Sequence, residues 1–137
     1  GWAIAKYKEC GPHLEEMKDV PTDIKGSIDV LGFMGADLDN LRVLNLSDCK
    51  QVTGDIGDAL RNLRNLKSVD FHDCDNITGD IGVALRNLDK LESVDFKKCR
   101  KITGDIGVAL RNLVNLKSVN FFNCDKITGD IGDALRN

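Results

Sequence analysis

Residues 66–87 read Leu66-Lys67-Ser68-Val69-Asp70-Phe71-His72-Asp73-Cys74-Asp75-Asn76-Ile77-Thr78-Gly79-Asp80-Ile81-Gly82-Val83-Ala84-Leu85-Arg86-Asn87. The pentapeptide Thr78-Gly79-Asp80-Ile81-Gly82 inside this stretch has copies at 53–57, 103–107 and 128–132. Each copy starts four residues after a cysteine (Cys49, Cys74, Cys99 or Cys124), and neighbouring cysteines are 25 residues apart. A fixed period of this length marks a solenoid, in which each unit packs only on its neighbours.

An apolar run precedes each cysteine. It is Leu41, Leu44 and Leu46 in the first copy, Leu66, Val69 and Phe71 in the second, Leu91, Val94 and Phe96 in the third, and Leu116, Val119 and Phe121 in the fourth. The last two apolar positions are two apart, so they share one face of a strand. The pattern predicts four parallel strands, near 43–46, 68–71, 93–96 and 118–121. The motif L-x-x-L-x-L-x-x-C resembles the leucine-rich repeat over about residues 40–137. The cysteine resembles the cysteine-containing class of these repeats. The Thr-Gly-Asp-Ile run resembles the plant-type class, although that class carries Pro where this chain has Gly57, Gly82, Gly107 and Gly132. The resemblance implies an α/β fold: a right-handed solenoid with a parallel concave sheet, short convex 3₁₀ or α turns and a helical N-terminal cap.

The second half of each repeat reads as a turn and a short helix. Ile77, Ile81, Leu85 and Leu88 follow helical spacing. Thr78 and Asp80 suit an N-cap, and Gly79 and Gly82 disfavour a long helix. One repeat cannot bury its own apolar face. Stacking buries Leu44, Leu46, Ile56 and Leu60 against their counterparts, each contributing about 1.5–3 kcal/mol.

Residues 24–40 form a degenerate half-repeat, in which Ile24-Lys25-Gly26-Ser27-Ile28 parallels Ile77–Ile81 and three extra residues fall around Gly32–Gly35. The solenoid is then 24–137, with four repeats from residue 41. Residues 1–23 lie outside the period and are expected to form a helical N-terminal cap. Pro12 suits the first turn of a helix running to about Asp19, and Trp2, Ile4 and Tyr7 suit an earlier short helix. At the other end the pattern stops after Leu135-Arg136-Asn137. Ile127, Ile131 and Leu135 are expected to present an open apolar edge, which invites a homodimer through this end.

Composition narrows function. The 137 residues are 42% hydrophobic and 30% charged, with a net charge of −3, which disfavours a nucleic-acid binder. No apolar run is long enough for a membrane span, and no secretory signal opens the sequence. The four cysteines in phase predict a column of buried thiols rather than disulfides or a metal column, which favours a cytoplasmic setting. The sequons Asn45-Leu46-Ser47 and Asn76-Ile77-Thr78 would matter only in a secreted protein.

Catalytic patterns are weak. Cys10-Gly11-Pro12-His13 resembles the redox turn of thioredoxin-like proteins, but the βαβ context is absent, and a Gly-Pro helix start accounts for it. Aligned Asp55, Asp80, Asp105 and Asp130 suggest a calcium ladder or, more simply, helix caps. Neither a metal nor a cofactor is expected.

The contrast within the repeat points elsewhere. Residues 77–87 and 102–112 are identical, whereas the positions after the last apolar strand residue change in each copy: Ser47, His72, Lys97 and Phe122. Strand alternation sets these on the concave face, together with Asn45, Asp70, Asp95 and Asn120. The expected function is non-enzymatic protein–protein recognition by that face. The alternative is a structural, self-assembling or engineered consensus-like scaffold, which near-identity of the copies also fits.

Overall fold

Each 25-residue repeat forms two short strands and one short helix. In the computed structural model, which describes residues 1–134, the first strands are β3 (Val43–Asn45), β5 (Ser68–Asp70), β7 (Ser93–Asp95) and β9 (Ser118–Asn120). All pair in parallel, Leu44 opposite Val69 and Val69 opposite Val94, so equivalent residues stack at the full 25-residue period.

A fifth strand, β1 (Glu16–Met17), extends this sheet by pairing with β3. The helix expected from Pro12 to Asp19 is therefore absent. Pro12 lies in a 3₁₀ turn, Gly11–His13, and the chain then extends. Leu14-x-x-Met17 occupies the positions of Leu41-x-x-Leu44, and both its apolar side chains are buried. Burial in the sheet thus outweighs the local helix signal. Ahead of it, α1 (Trp2–Cys10) places Trp2 and Tyr7 against the core, while Ile4 is exposed.

The Thr-Gly-Asp runs build a second parallel sheet, which the turn reading of these residues did not anticipate. Its strands are β2 (Gly26–Ser27), β4 (Val52–Asp55), β6 (Ile77–Asp80), β8 (Ile102–Asp105) and β10 (Ile127–Thr128). Pairing here is staggered: Gly54 lies opposite Ile77 and Gly79 opposite Ile102. The threonines belong to this sheet rather than to a cap. Thr78 Oγ1 donates to the Gly54 carbonyl at 3.2 Å and Thr103 Oγ1 to Gly79 at 3.3 Å. β2 pairs with β4 through Gly26 opposite Val52 and Ser27 opposite Thr53, and Gly26, at φ 121°, has a positive φ like that of Gly54 at 108°.

Short helices follow: α2 (Val30–Met34), α3 (Ile56–Leu60), α4 (Ile81–Leu85), α5 (Ile106–Leu110) and α6 (Ile131–Ala134). Aspartate caps α3, α4 and α5. Asp55 accepts from the Asp58 N–H, Asp80 from Gly82 and Val83, and Asp105 from Val108. These bonds satisfy orphan donors of the first turn, the capping role expected of these aspartates. Gly57 leaves room for the next repeat: a Cβ there would lie 2.9 Å from Val83 Cγ1. That packing explains why no larger residue stands at this position.

The core runs between the two sheets and the helices. Phe71, Phe96 and Phe121 form a stacked spine, with centroids 5.5 and 5.9 Å apart and ring planes within 10°. Beside it run the cysteines, all free thiols. Cys74 Sγ donates to the Leu46 carbonyl at 3.0 Å, Cys99 to Phe71 at 3.0 Å and Cys124 to Phe96 at 2.8 Å. Each thiol thus ties one repeat to a carbonyl of the previous one. Among the described residues, no buried side-chain polar atom lacks a partner. Towards the last rung Leu116, Val119, Phe121, Ile127 and Ile131 are half-buried, whereas Leu91, Val94, Phe96 and Ile102 are buried. Leu135, named in the sequence reading of this end, lies outside the described residues.

Burial pushes the Cys74 thiol up to about 12 and Cys124 up to about 11, and it also raises Cys49 and Cys99. An acid whose pKa rises on folding holds its proton more tightly in the native state. Its contribution is intact below the unfolded thiol value of about 8.5 and is lost as pH climbs towards the folded value. Stability should therefore decline from about pH 8.5 upwards, and Cys74→Ser, which keeps a donor, should shallow that decline. Thiol titration should label exposed Cys10 first and the column only in denaturant. An unchanged slope in the variant, or native labelling of Cys74 as fast as Cys10, would contradict this account.

Candidate recognition face

Alternation in the first sheet sends Leu44, Val69 and Val94 inward and Asn45, Asp70, Asp95 and Asn120 outward. Leu46, Phe71 and Phe96 then point in, and Ser47, His72, Lys97 and Phe122 point out. The structure brings all eight predicted residues to one face, half-buried except for Phe122, which is 54% exposed. Stacking in register makes each row continuous across the rungs.

The two rows differ in what they do. In the first, each side-chain Oδ1 accepts the backbone N–H two residues on: Asn45 from Ser47, Asp70 from His72 and Asp95 from Lys97, each at 2.9 Å, and Asn120 from Phe122 at 3.0 Å. Only a short side chain with an acceptor makes this Asx turn. The constancy of Asn or Asp at that position is therefore local architecture. The turn delivers the chain into left-handed geometry at Asp48, Asp73, Lys98 and Asn123, with φ of 60–63°. Asp and Asn tolerate that region better than most residues. Variation on this face is thus concentrated in Ser47, His72, Lys97 and Phe122.

Charge on the face is uneven. His72 sits among carboxylates: Nε2 is 3.3 Å from Asp73 Oδ2 and 3.7 Å from Asp48 Oδ1, and Nδ1 is 3.8 Å from Asp70 Oδ1. Loss of solvation raises the Asp70 pKa, and the like charge of Asp95 adds to the rise against the bond from the His72 N–H. One rung on, Lys97 and Lys98 bring positive charge, followed by the apolar ring of Phe122. Sequence reading placed His72 on the face but missed Asp48 and Asp73 as its neighbours. Their signal is that the residue after His72 or Ser47 is acidic in just those two repeats.

In the Cys10-Gly11-Pro12-His13 turn, Cys10 is the exposed last residue of α1 and also the N-cap of the 3₁₀ turn Gly11–His13. Among the described residues, no helix is long and apolar enough to cross a membrane.

Stacked parallel strands joined by short turns and helices, presenting one regular face, define a solenoid of the kind used as an interaction module. The family model for the Leucine Rich Repeat matches residues 40–63. The matched apolar positions recur in register in the two following repeats and fold alike there. Residues 40–63 thus form a leucine-rich repeat, and the repeats after it continue the same pattern. A search among curated proteins returned no match.

Proposed function

We propose that this solenoid is a non-enzymatic recognition module that binds a protein partner through the outward row Ser47, His72, Lys97 and Phe122, flanked by Asn45, Asp70, Asp95 and Asn120. The observation that carries it is a constant frame beneath a row whose chemistry changes at every rung: hydroxyl, imidazole, ammonium, phenyl. Phe122 is the expected anchor. It is a large apolar ring left 54% exposed beside charged neighbours, and buried aromatics dominate interface energetics. A net charge of −3 and the mixed signs on this face favour a protein over nucleic acid. The free, buried thiols fit a reducing compartment. Pairing of two copies through the half-buried apolar end at Leu116, Val119 and Ile127 belongs to the same proposal.

Phe122→Ala should weaken the complex by about 1–2 kcal/mol while leaving the unfolding midpoint nearly unchanged, since the ring buries little in the fold. His72→Ala and Lys97→Ala should have smaller effects. A photo-crosslinker at Lys97 can trap the partner, and calorimetry with the three variants then measures the losses. A partner indifferent to all three would move the site to the helices or the ends.

A further inference from the structure

Both groups of three potential metal ligands among the described residues contain His72. One is Asp48, His72 and Asp73, and the other is Asp70, His72 and Asp95. We propose that His72 Nε2, with Asp48 and Asp73, forms a binding site for a zinc-class divalent cation on the outer face of the first sheet.

Spacing supports this first. Zinc holds nitrogen and carboxylate oxygen at about 2.0–2.2 Å, so ligands at tetrahedral angles lie roughly 3.3–3.5 Å apart. Nε2 is 3.3 Å from Asp73 Oδ2 and 3.7 Å from Asp48 Oδ1, and the three ligand atoms lie within 4.8 Å of one another. A small rotation of the Asp48 carboxylate completes the fit.

The backbone holds these groups in place. Asp48 donates its N–H to the His72 carbonyl at 2.8 Å, which fixes the aspartate of one rung over the histidine of the next. Asp73 follows His72 and is anchored in turn by its N–H to the Lys97 carbonyl at 2.8 Å. Both aspartates are in the left-handed region, at φ 63° and 62°.

On the far side of the ring a carboxylate lies close to the second nitrogen, short of hydrogen-bond contact. A metal-binding histidine points its second nitrogen at a carboxylate or carbonyl, which fixes the tautomer. Nδ1 faces Asp70 Oδ1 at 3.8 Å, and that oxygen is already held by the His72 N–H at 2.9 Å. The contacts at 3.7 and 3.8 Å are too long for hydrogen bonds. A bare ion pair therefore leaves the ring loosely held among the carboxylates. One imidazole nitrogen and two carboxylates suit zinc and its neighbours better than calcium, which prefers oxygen alone.

Specificity to one rung is a further consequence. The positions of His72 and Asp73 are Ser47 and Asp48, Lys97 and Lys98, and Phe122 and Asn123 in the other repeats. Among these positions, only the junction of the first two repeats stacks two aspartates around a histidine. The proposal is independent of whether the face binds a protein.

Calorimetric titration with zinc chloride tests it, on the full chain carrying Cys10→Ser so that the exposed thiol cannot compete. One equivalent should bind and should raise the thermal midpoint. His72→Ala should lower the affinity at least tenfold. Asp73→Asn should also weaken it, and this variant decides the matter if His72→Ala does not fold. His13→Ala should change nothing. Absence of binding, binding unchanged by His72→Ala and Asp73→Asn, or uptake of calcium in preference to zinc would overturn the proposal.

Discussion

Phe96→Ala should be among the most destabilising single substitutions in this chain, costing about 3–5 kcal/mol. Phe96 has no exposed surface, and its ring lies between Phe71 and Phe121 at 5.5 and 5.9 Å. Truncation removes apolar burial and opens a cavity where two inter-repeat interfaces meet. Small domains have only about 5–15 kcal/mol of stability in total, and a solenoid derives most of its own from those interfaces. Equilibrium unfolding in urea measures the loss. The internal comparison is Phe121→Ala. Phe121 is half-buried with a ring contact on one side only, so its cost should be distinctly smaller. Equal costs at the two positions, or a loss below about 1 kcal/mol at Phe96, would show that the spine is not what couples the repeats.

Much of this architecture was legible because period-two and period-25 signals coincide. Val69 and Phe71 alternate into the core, and the same pair recurs a repeat later at Val94 and Phe96. Two parts were hidden for different physical reasons. In Val52-Thr53-Gly54-Asp55 only the first residue is apolar and buried. The strand is held by backbone pairing and Thr hydroxyls, which leave no hydrophobic period to read. At Leu14-Glu15-Glu16-Met17 the spacing of three fits a helix as well as the repeat motif, and Pro12 tips the local reading towards helix. Only the neighbouring strand at Val43–Leu44 decides for extension. The candidate site divides in the same way. Alternation sufficed to place His72 outward. Its carboxylate neighbours belong to two rungs, and their approach depends on the bond from the Asp48 N–H to the His72 carbonyl. That bond is a fact of register, which strand periodicity does not carry. Asn45, Asp70, Asp95 and Asn120 were read as partner-facing because they point out; their Oδ1 atoms are in fact engaged in the turns of their own chain.

Gly79→Ala should cost about 2–3 kcal/mol through two separable effects. The first is conformational. Gly79 has φ 106°, a region that a side chain with Cβ disfavours by about 1–2 kcal/mol. The second is steric and crosses the repeat boundary. A Cβ at Gly79 would sit 2.7–2.9 Å from the Asp55 carboxylate, closer than atoms can approach. Asp55 must then swing away and release the Asp58 N–H that it caps at 3.1 Å. Loss of such a cap costs about 1 kcal/mol. The same contact recurs between Gly104 and Asp80, at 2.6–2.8 Å, so the repeated Thr-Gly-Asp is one device: the glycine of each turn makes room for the aspartate of the turn before. A double-mutant cycle separates the two effects. In an Asp55→Ala background the clash is gone and the cap is already lost, so Gly79→Ala should then cost only the conformational part. The coupling should be about 1 kcal/mol, the two substitutions together being less damaging than their sum. Strict additivity would confine the glycine requirement to its own backbone, and the inter-repeat account of the Thr-Gly-Asp motif would fail.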